Sequence, residues 1–191
     1  MYKMLLKDLI FGNTDQRLES LNEIINNLGL ELNPRAKEKA FLNQFVIDPA
    51  STRFHGNFEG GLIRHSANVA YILLDYVEKD VCHFENERSP IVVGLFHDLC
   101  KVGTYLKQAD GTYTKKGEDL WSGHATKTIG MLSSGLFKGL TLTEEEALCI
   151  RYHMGAYEKD DWSGFGDAIA EYPTVLYTHT ADMLSTHALG V

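Results

Sequence analysis

The chain has 191 residues, 44% of them hydrophobic and 23% charged, enough for one domain that buries roughly 70% of its unfolded surface and too apolar for bulk disorder. Lys plus Arg number 18 against 26 Asp plus Glu, a formal charge of −8, which argues against a protein that coats long nucleic acid. A small anionic substrate stays open, because bound metal ions supply positive charge locally. Cys82, Cys100 and Cys149 form no CxxC pair, so a disulfide framework or zinc knuckle is not expected and a reducing cytoplasm fits. Lys7 and Asp8 interrupt the apolar stripe of Met1 to Ile10. No stretch approaches the ~18 apolar residues of a membrane span.

The dominant period along the chain is helical. Leu18, Leu21, Ile24, Ile25 and Leu28 recur at helical spacing, and Gly29 stands where such a helix should stop. Pro34 opens a second segment, Arg35 to Phe45, with Ala36, Ala40, Phe41 and Phe45 on its apolar side. The glycines of His55-Gly-Asn-Phe-Glu-Gly-Gly61 predict a tight turn rather than a linker. A helix should then cover Leu62 to Val77. Ser89-Pro90 reads as an N-cap with a first-turn proline, opening a buried helix from Ile91 to Val102. Asp110-Gly111, flanked by Tyr105, Leu106, Tyr113 and Thr114, predicts a β-hairpin between about residues 105 and 117.

Further helices are expected from about His124 to Leu132 and from the capping box Thr143-x-x-Glu146 towards Gly155. Residues 156–171 are polar and glycine-containing and predict a loop. Pro173 starts a last helix running to about Ala188. With no repeat and no linker, the expectation is one all-α domain with a small hairpin. Residues 1–50 would form helices packed on a core of residues 51–191.

The placement of the histidines carries the functional signal. His97-Asp98 lies in the apolar run Pro90-Ile-Val-Val-Gly-Leu-Phe-His-Asp-Leu-Cys-Lys101. A carboxylate buried there is costly unless something pairs with it, and a divalent transition metal takes both imidazole and carboxylate. By itself the pair also fits an ordinary ion-paired Asp beside a core His. His65 starts its own helix after Gly60-Gly61, and Asp182 sits among Ala181, Met183 and Leu184. His124 follows Ser122-Gly123, and His153 ends the helix opened at Thr143. Several helices thus each offer a His or Asp beside apolar residues, as a metal site inside a helical bundle requires.

His65 in Gly60-Gly-Leu-Ile-Arg-His-Ser66, His97-Asp98 in Gly94-Leu-Phe-His-Asp-Leu-Cys-Lys101 and Asp182 in Thr180-Ala-Asp-Met-Leu-Ser185 stand in an H…HD…D order. In this the chain resembles the HD-domain metal-dependent phosphohydrolases, over roughly His55 to Ser185. The resemblance implies an all-helical fold holding one or two divalent ions (Mn, Mg, Co, Ni, Fe or Zn). His65, His97, Asp98 and Asp182 would form the first site. His124 and His153 take the places of the extra histidines of binuclear members, with Asp98 bridging. In mononuclear members a histidine at such a place faces the phosphate or acts as general acid.

The chemistry expected is hydrolysis of a phosphoester by a metal-activated water, with Asp98, Lys101 and His124 in catalytic roles. Lys101, one helical turn beyond His97 and Asp98, can reach a phosphate; its alternative is a solvated helix-end lysine. Arg64, His55 and Tyr105 are candidate substrate contacts. His179, one turn before Asp182, is a candidate support for the ligands. His83 and His187 read as surface residues, and Cys100 as a buried thiol. Trp162, Phe165, Tyr105 and Tyr113 are candidates for stacking on a base, with a core role as the alternative.

The expected substrate is a nucleotide mono- or triphosphate. The Gly-Gly-Leu-x-x-His turn and the hairpin leading through Trp121-Ser-Gly-His124 also look like the 3′–5′ exonuclease branch. This keeps open a phosphodiesterase acting on short or cyclic oligonucleotides, with Lys107, Lys115, Lys116 and Lys127 nearby. A di-iron oxygenase built on the same residues and a non-catalytic nucleotide sensor are the remaining alternatives. No membrane partner is expected.

Overall fold

A computed structural model describes residues 1–35, 40–117, 123–155 and 161–190 and shows an all-α bundle with two minute antiparallel sheets. In chain order the elements are α1 (Tyr2–Phe11), α2 (Thr14–Asn27), β1 (Glu31–Leu32), α3 (Phe41–Ile47), α4 (Gly61–Glu78) and α5 (Ser89–Phe96). A 3-10 turn (Leu99–Lys101), the hairpin β2 (Tyr105–Lys107) and β3 (Tyr113–Lys115), α6 (His124–Ser133) and β4 (Phe137–Lys138) follow. The chain ends in α7 (Glu144–Arg151), α8 (Trp162–Glu171), α9 (Thr174–Met183) and a π-helical turn (Leu184–Ala188). Among the described residues no helix is long and apolar enough to cross a membrane.

The amphipathic helix α2 is opened by a capping box between Asn13 and Gln16. It closes at Gly29, where the Leu30 amide reaches back to the Ile25 carbonyl at 3.0 Å. Its buried Leu21, Ile24 and Ile25 join Leu5, Leu6, Leu9 and Ile10 of α1 in one core with Leu62, Ile63, Ala67 and Ala70 of α4. Helix α4 is central, packed by α1, α3, α5, α9 and the π-turn. Its start is fixed by the glycine turn: Gly60 has φ +78°, and a Cβ on Gly61 would collide with the Gly56 backbone. Helices α4 and α5 touch where a Cβ on Gly94 would meet the Ala70 backbone.

Four sequence expectations are corrected. The single helix expected from Arg35 to Phe45 is interrupted: Pro34 and Arg35 are helical, residues 36–39 lie outside the described residues, and a separate helix begins at Phe41 after Ala40 at φ +51°. The helix expected to run to Val102 ends at Phe96, with Asp98 at φ −110° and ψ 16° leading into the 3-10 turn. Ser89 is not the cap; its hydroxyl donates to Glu146 at 2.9 Å. Within the expected loop 156–171, residues Trp162–Glu171 form α8, whose N-terminus is capped by Asp161 accepting the Gly164 amide at 3.0 Å. Residues 156–160, like Trp121 and Ser122, lie outside the described residues. The hairpin forms with Leu106 opposite Thr114, while β1 pairs with β4 from far along the chain, Glu31 opposite Lys138 and Leu32 opposite Phe137.

Candidate metal centre

The break in α5 shapes the site. Adjacent residues on a continuous helix project about 100° apart, and the turn at Asp98 brings its carboxylate to the point that His97 faces. His97 Nε2 lies 3.4 Å from Asp98 Oδ2. From α4, His65 Nε2 comes within 3.2 Å of His97 Nε2 and 3.0 Å of Asp182 Oδ1 on α9. The other oxygen, Asp98 Oδ1, stands 3.7 Å from both His124 Nε2 and His153 Nε2, and those two nitrogens are 2.9 Å apart. The His97 and His153 rings meet edge to face at 4.8 Å, which makes one cluster of the two halves. His65, His97, Asp98, His153 and Asp182 are all buried.

The outer ring nitrogens are held. His97 Nδ1–H donates to the Gly94 carbonyl at 2.9 Å, and His153 Nδ1–H donates to the Ile150 carbonyl at 2.7 Å. Their Nε2 lone pairs therefore face the cluster, the arrangement found where imidazoles ligate metals. His65 Nδ1 lies 3.1 Å from the Ser185 hydroxyl on the π-turn. His65, His97 and Asp182, and again His97, Asp98 and His153, bring their ligand atoms within 4.8 Å of one another and could hold a metal ion.

Two observations test whether such an ion fits. Asp98 Oδ1 is buried without any hydrogen-bond partner, a costly state for a carboxylate oxygen that a cation would relieve. Nitrogens bound at about 2.1 Å and at right angles to one ion lie about 3.0 Å apart; the two close Nε2 pairs are at 3.2 and 2.9 Å. The donor set is imidazole and carboxylate, suited to first-row divalent metals. The residues fit.

The electrostatics agree. Burial pushes the Asp98 carboxyl up, but Lys101 and His97 outweigh it and hold it well below the carboxylate range. Burial opposes ionisation of Asp182 as well, and its contact with His65 nonetheless keeps its pKa low. Burial, then the charge of His97, pushes His153 down to about 3. Burial also disfavours the His97 imidazolium, yet Asp98 and Asp182 raise its pKa.

Of the candidate substrate contacts, the structure brings three to the cluster. His55 packs on His65 with ring centroids 4.9 Å apart; its Nε2 is buried without a partner, and burial followed by His65 lowers it to about 4. Lys101 Nζ donates to Asp98 Oδ2 at 2.6 Å, with 18% of its side chain exposed. Burial raises the Tyr105 hydroxyl pKa, and Lys101 opposes this as its first charged neighbour. The Arg64 guanidinium lies over the Phe58 ring at 5.1 Å.

His179 meets the cluster at its edge: its Nδ1–H donates to the His153 carbonyl at 2.8 Å. His83 and His187 are exposed, and Cys100 is a buried thiol whose pKa burial lifts to about 12. Trp162 is 64% exposed on α8, whereas Phe165 packs against Tyr152 and His179. Sequence reasoning did not single out Ser185; its available signal was its position one turn after Asp182.

No family model matches the chain, and no solved structure matches it. Over 87 residues it is 38% identical to the dihydroneopterin 2′,3′-cyclic phosphate phosphodiesterase of Methanocaldococcus jannaschii, a match covering 42% of this chain and 35% of that protein. The chain thus spans about a third of the length of this curated relative.

Proposed function

We propose that the chain is a metal-dependent phosphohydrolase of the HD type that cleaves a phosphodiester in a small nucleotide-like substrate. The observation that carries this reading is Asp98: one oxygen faces His65 and His97, and the orphaned other faces His124 and His153. In this reading His65, His97, Asp98 and Asp182 hold one divalent ion, and His124 and His153 hold a second with Asp98 between them. A bound divalent ion supplies a water of lowered pKa and offsets charge on a phosphoryl oxygen. Residues 1–50 belong to the same domain as residues 51–191, since α1 and α2 share the core of α4.

The remaining roles fall to side chains around the cluster. Lys101, held against Asp98 and partly exposed, presents a cation to the phosphate. His55, kept neutral at pH 7 by burial and His65, offers an unpaired buried nitrogen to a substrate oxygen. Tyr105 and the hairpin border Lys101. The relative's named activity on a cyclic phosphate supports a diester over the nucleotide mono- or triphosphate favoured by composition and compactness. The −8 charge favours a small substrate over a long polymer, and a cytoplasmic setting suits such a substrate and three unpaired thiols.

The test is hydrolysis of a panel of 2′,3′- and 3′,5′-cyclic nucleotides, nucleoside mono- and triphosphates and short oligonucleotides, with Mn²⁺, Co²⁺ or Mg²⁺. Cyclic diesters should be opened in a metal-dependent way, and Asp98→Ala should reduce turnover to background with helicity retained. Release of phosphate from monoesters alone would support the monoesterase reading instead, and full activity of Asp98→Ala would exclude both.

A further inference from the structure

We infer that His179 is a positioning residue that holds His153 in the geometry needed to bind a metal ion, an inference that rests on the two-ion reading above. Asp182 is carried within a helix and His65 near the start of one, so their backbones are fixed by regular hydrogen bonding. Among the described residues His153 lies outside any regular helix. Helix α7 ends at Arg151, and His153 stands beyond it in a turn closed by the Gly155 amide on the Tyr152 carbonyl at 2.8 Å.

Among the described residues, the His153 carbonyl accepts a hydrogen bond from His179 Nδ1–H on α9 at 2.8 Å. His179 lies one turn before Asp182, so this bond ties the His153 turn to the helix that carries a ligand of the other half of the cluster. The imidazole is itself held. Phe165 of α8 meets it edge to face at 5.8 Å. Gly155, at φ +56°, leaves the space the ring fills, since a Cβ there would come within 2.7–2.9 Å of three His179 ring atoms. Carboxylates and carbonyls that fix ligating histidines commonly influence metal affinity 10–100-fold. His179 does the equivalent for the backbone of its ligand.

The test titrates the chelator-stripped full chain with Mn²⁺ by calorimetry and counts bound metal. Wild type should take up two ions. His179→Phe keeps an aromatic ring beside Phe165 and loses the donor; it should bind the first ion as wild type does and the second about 10–100-fold more weakly. His179→Asn, whose amide donates at similar reach, should recover most of that loss. Gly155→Ala, which displaces the ring, should weaken the same ion and serves as the independent route if His179→Phe does not fold. Folded variants that bind both ions as wild type does overturn the inference. So does equal weakening of both ions, which marks His179 as merely structural. Uptake of fewer than two ions by wild type overturns the two-ion reading, and the inference with it.

Discussion

A buried carboxylate needs a cation or a hydrogen at each oxygen, and Asp98, 2% exposed, has Lys101 on Oδ2 and no hydrogen-bond partner on Oδ1. The same logic makes the histidine orientations informative. An imidazole with Nδ1–H on a carbonyl has no freedom over which nitrogen it offers, and both His97 and His153 offer Nε2 to the cluster. The Ser185 hydroxyl, which donates to the His65 carbonyl at 3.4 Å, has its oxygen 3.1 Å from His65 Nδ1 and can accept that Nδ1–H in the same way. Ser185→Ala should therefore weaken divalent-metal binding about 10–100-fold with little change in circular dichroism. Calorimetric titration with Mn²⁺ measures this, and unchanged affinity would show that His65 needs no such support.

The candidate ligands lie on elements whose packing sets their separation, with α4 and α5 packed most closely. Their close approach at Gly94 and Ala70 lets His65 and His97 bring their Nε2 atoms within 3.2 Å. Gly94→Ala forces the two backbones apart. It should cost about 1–3 kcal/mol, the usual range for overpacking, and weaken metal binding beyond its effect on stability. Thermal unfolding and metal titration on the same sample separate the two effects.

At this scale the sequence was partly legible. The capping box at Thr143 and the Asp110-Gly111 turn formed as local chemistry dictates, whereas the box at Asn13 and Gln16 emerged only in the structure. Helix α8 was not legible, because Gly164 and Gly166 lower its propensity and only the Asp161 cap marks its start. The apolar run through Val102 concealed the break at Asp98, which comes from where that carboxylate must point rather than from any local breaker.

Across the whole molecule, two histidines kept neutral by burial make the metal-free protein acid-sensitive. His153 and His55 protonate at about 3 and 4 when folded, against 6.5 ordinarily. Between those values the unfolded chain binds more protons, so stability falls as pH drops from 6.5 towards 4. The depressed Asp98 and Asp182 extend that loss below 3.8. His97, raised above 6.5, acts oppositely: its contribution is full below 6.5 and is lost as pH rises through its folded value. Thermal unfolding in a chelator from pH 7.5 to 4 should show a falling midpoint, and a flat profile would contradict it. Added Mn²⁺ should raise the midpoint at pH 7.5 by mass action and less at pH 5, where protons compete for the imidazoles.

The amino-acid sequence by itself determined the all-α class, the hairpin and the candidacy of His65, His97, Asp98, His124, His153 and Asp182. Helical period and turn chemistry are local, and a polar ligand inside an apolar run stands out wherever it falls. Only the tertiary structure decided that Asp98 turns its two oxygens to two pairs of histidines, that Arg64 lies over Phe58, and that Ser185 and His179 come within hydrogen-bond distance of His65 and His153. These relations join residues up to 120 positions apart. They depend on helix approach and on hydrogen-bond direction, neither of which local sequence encodes.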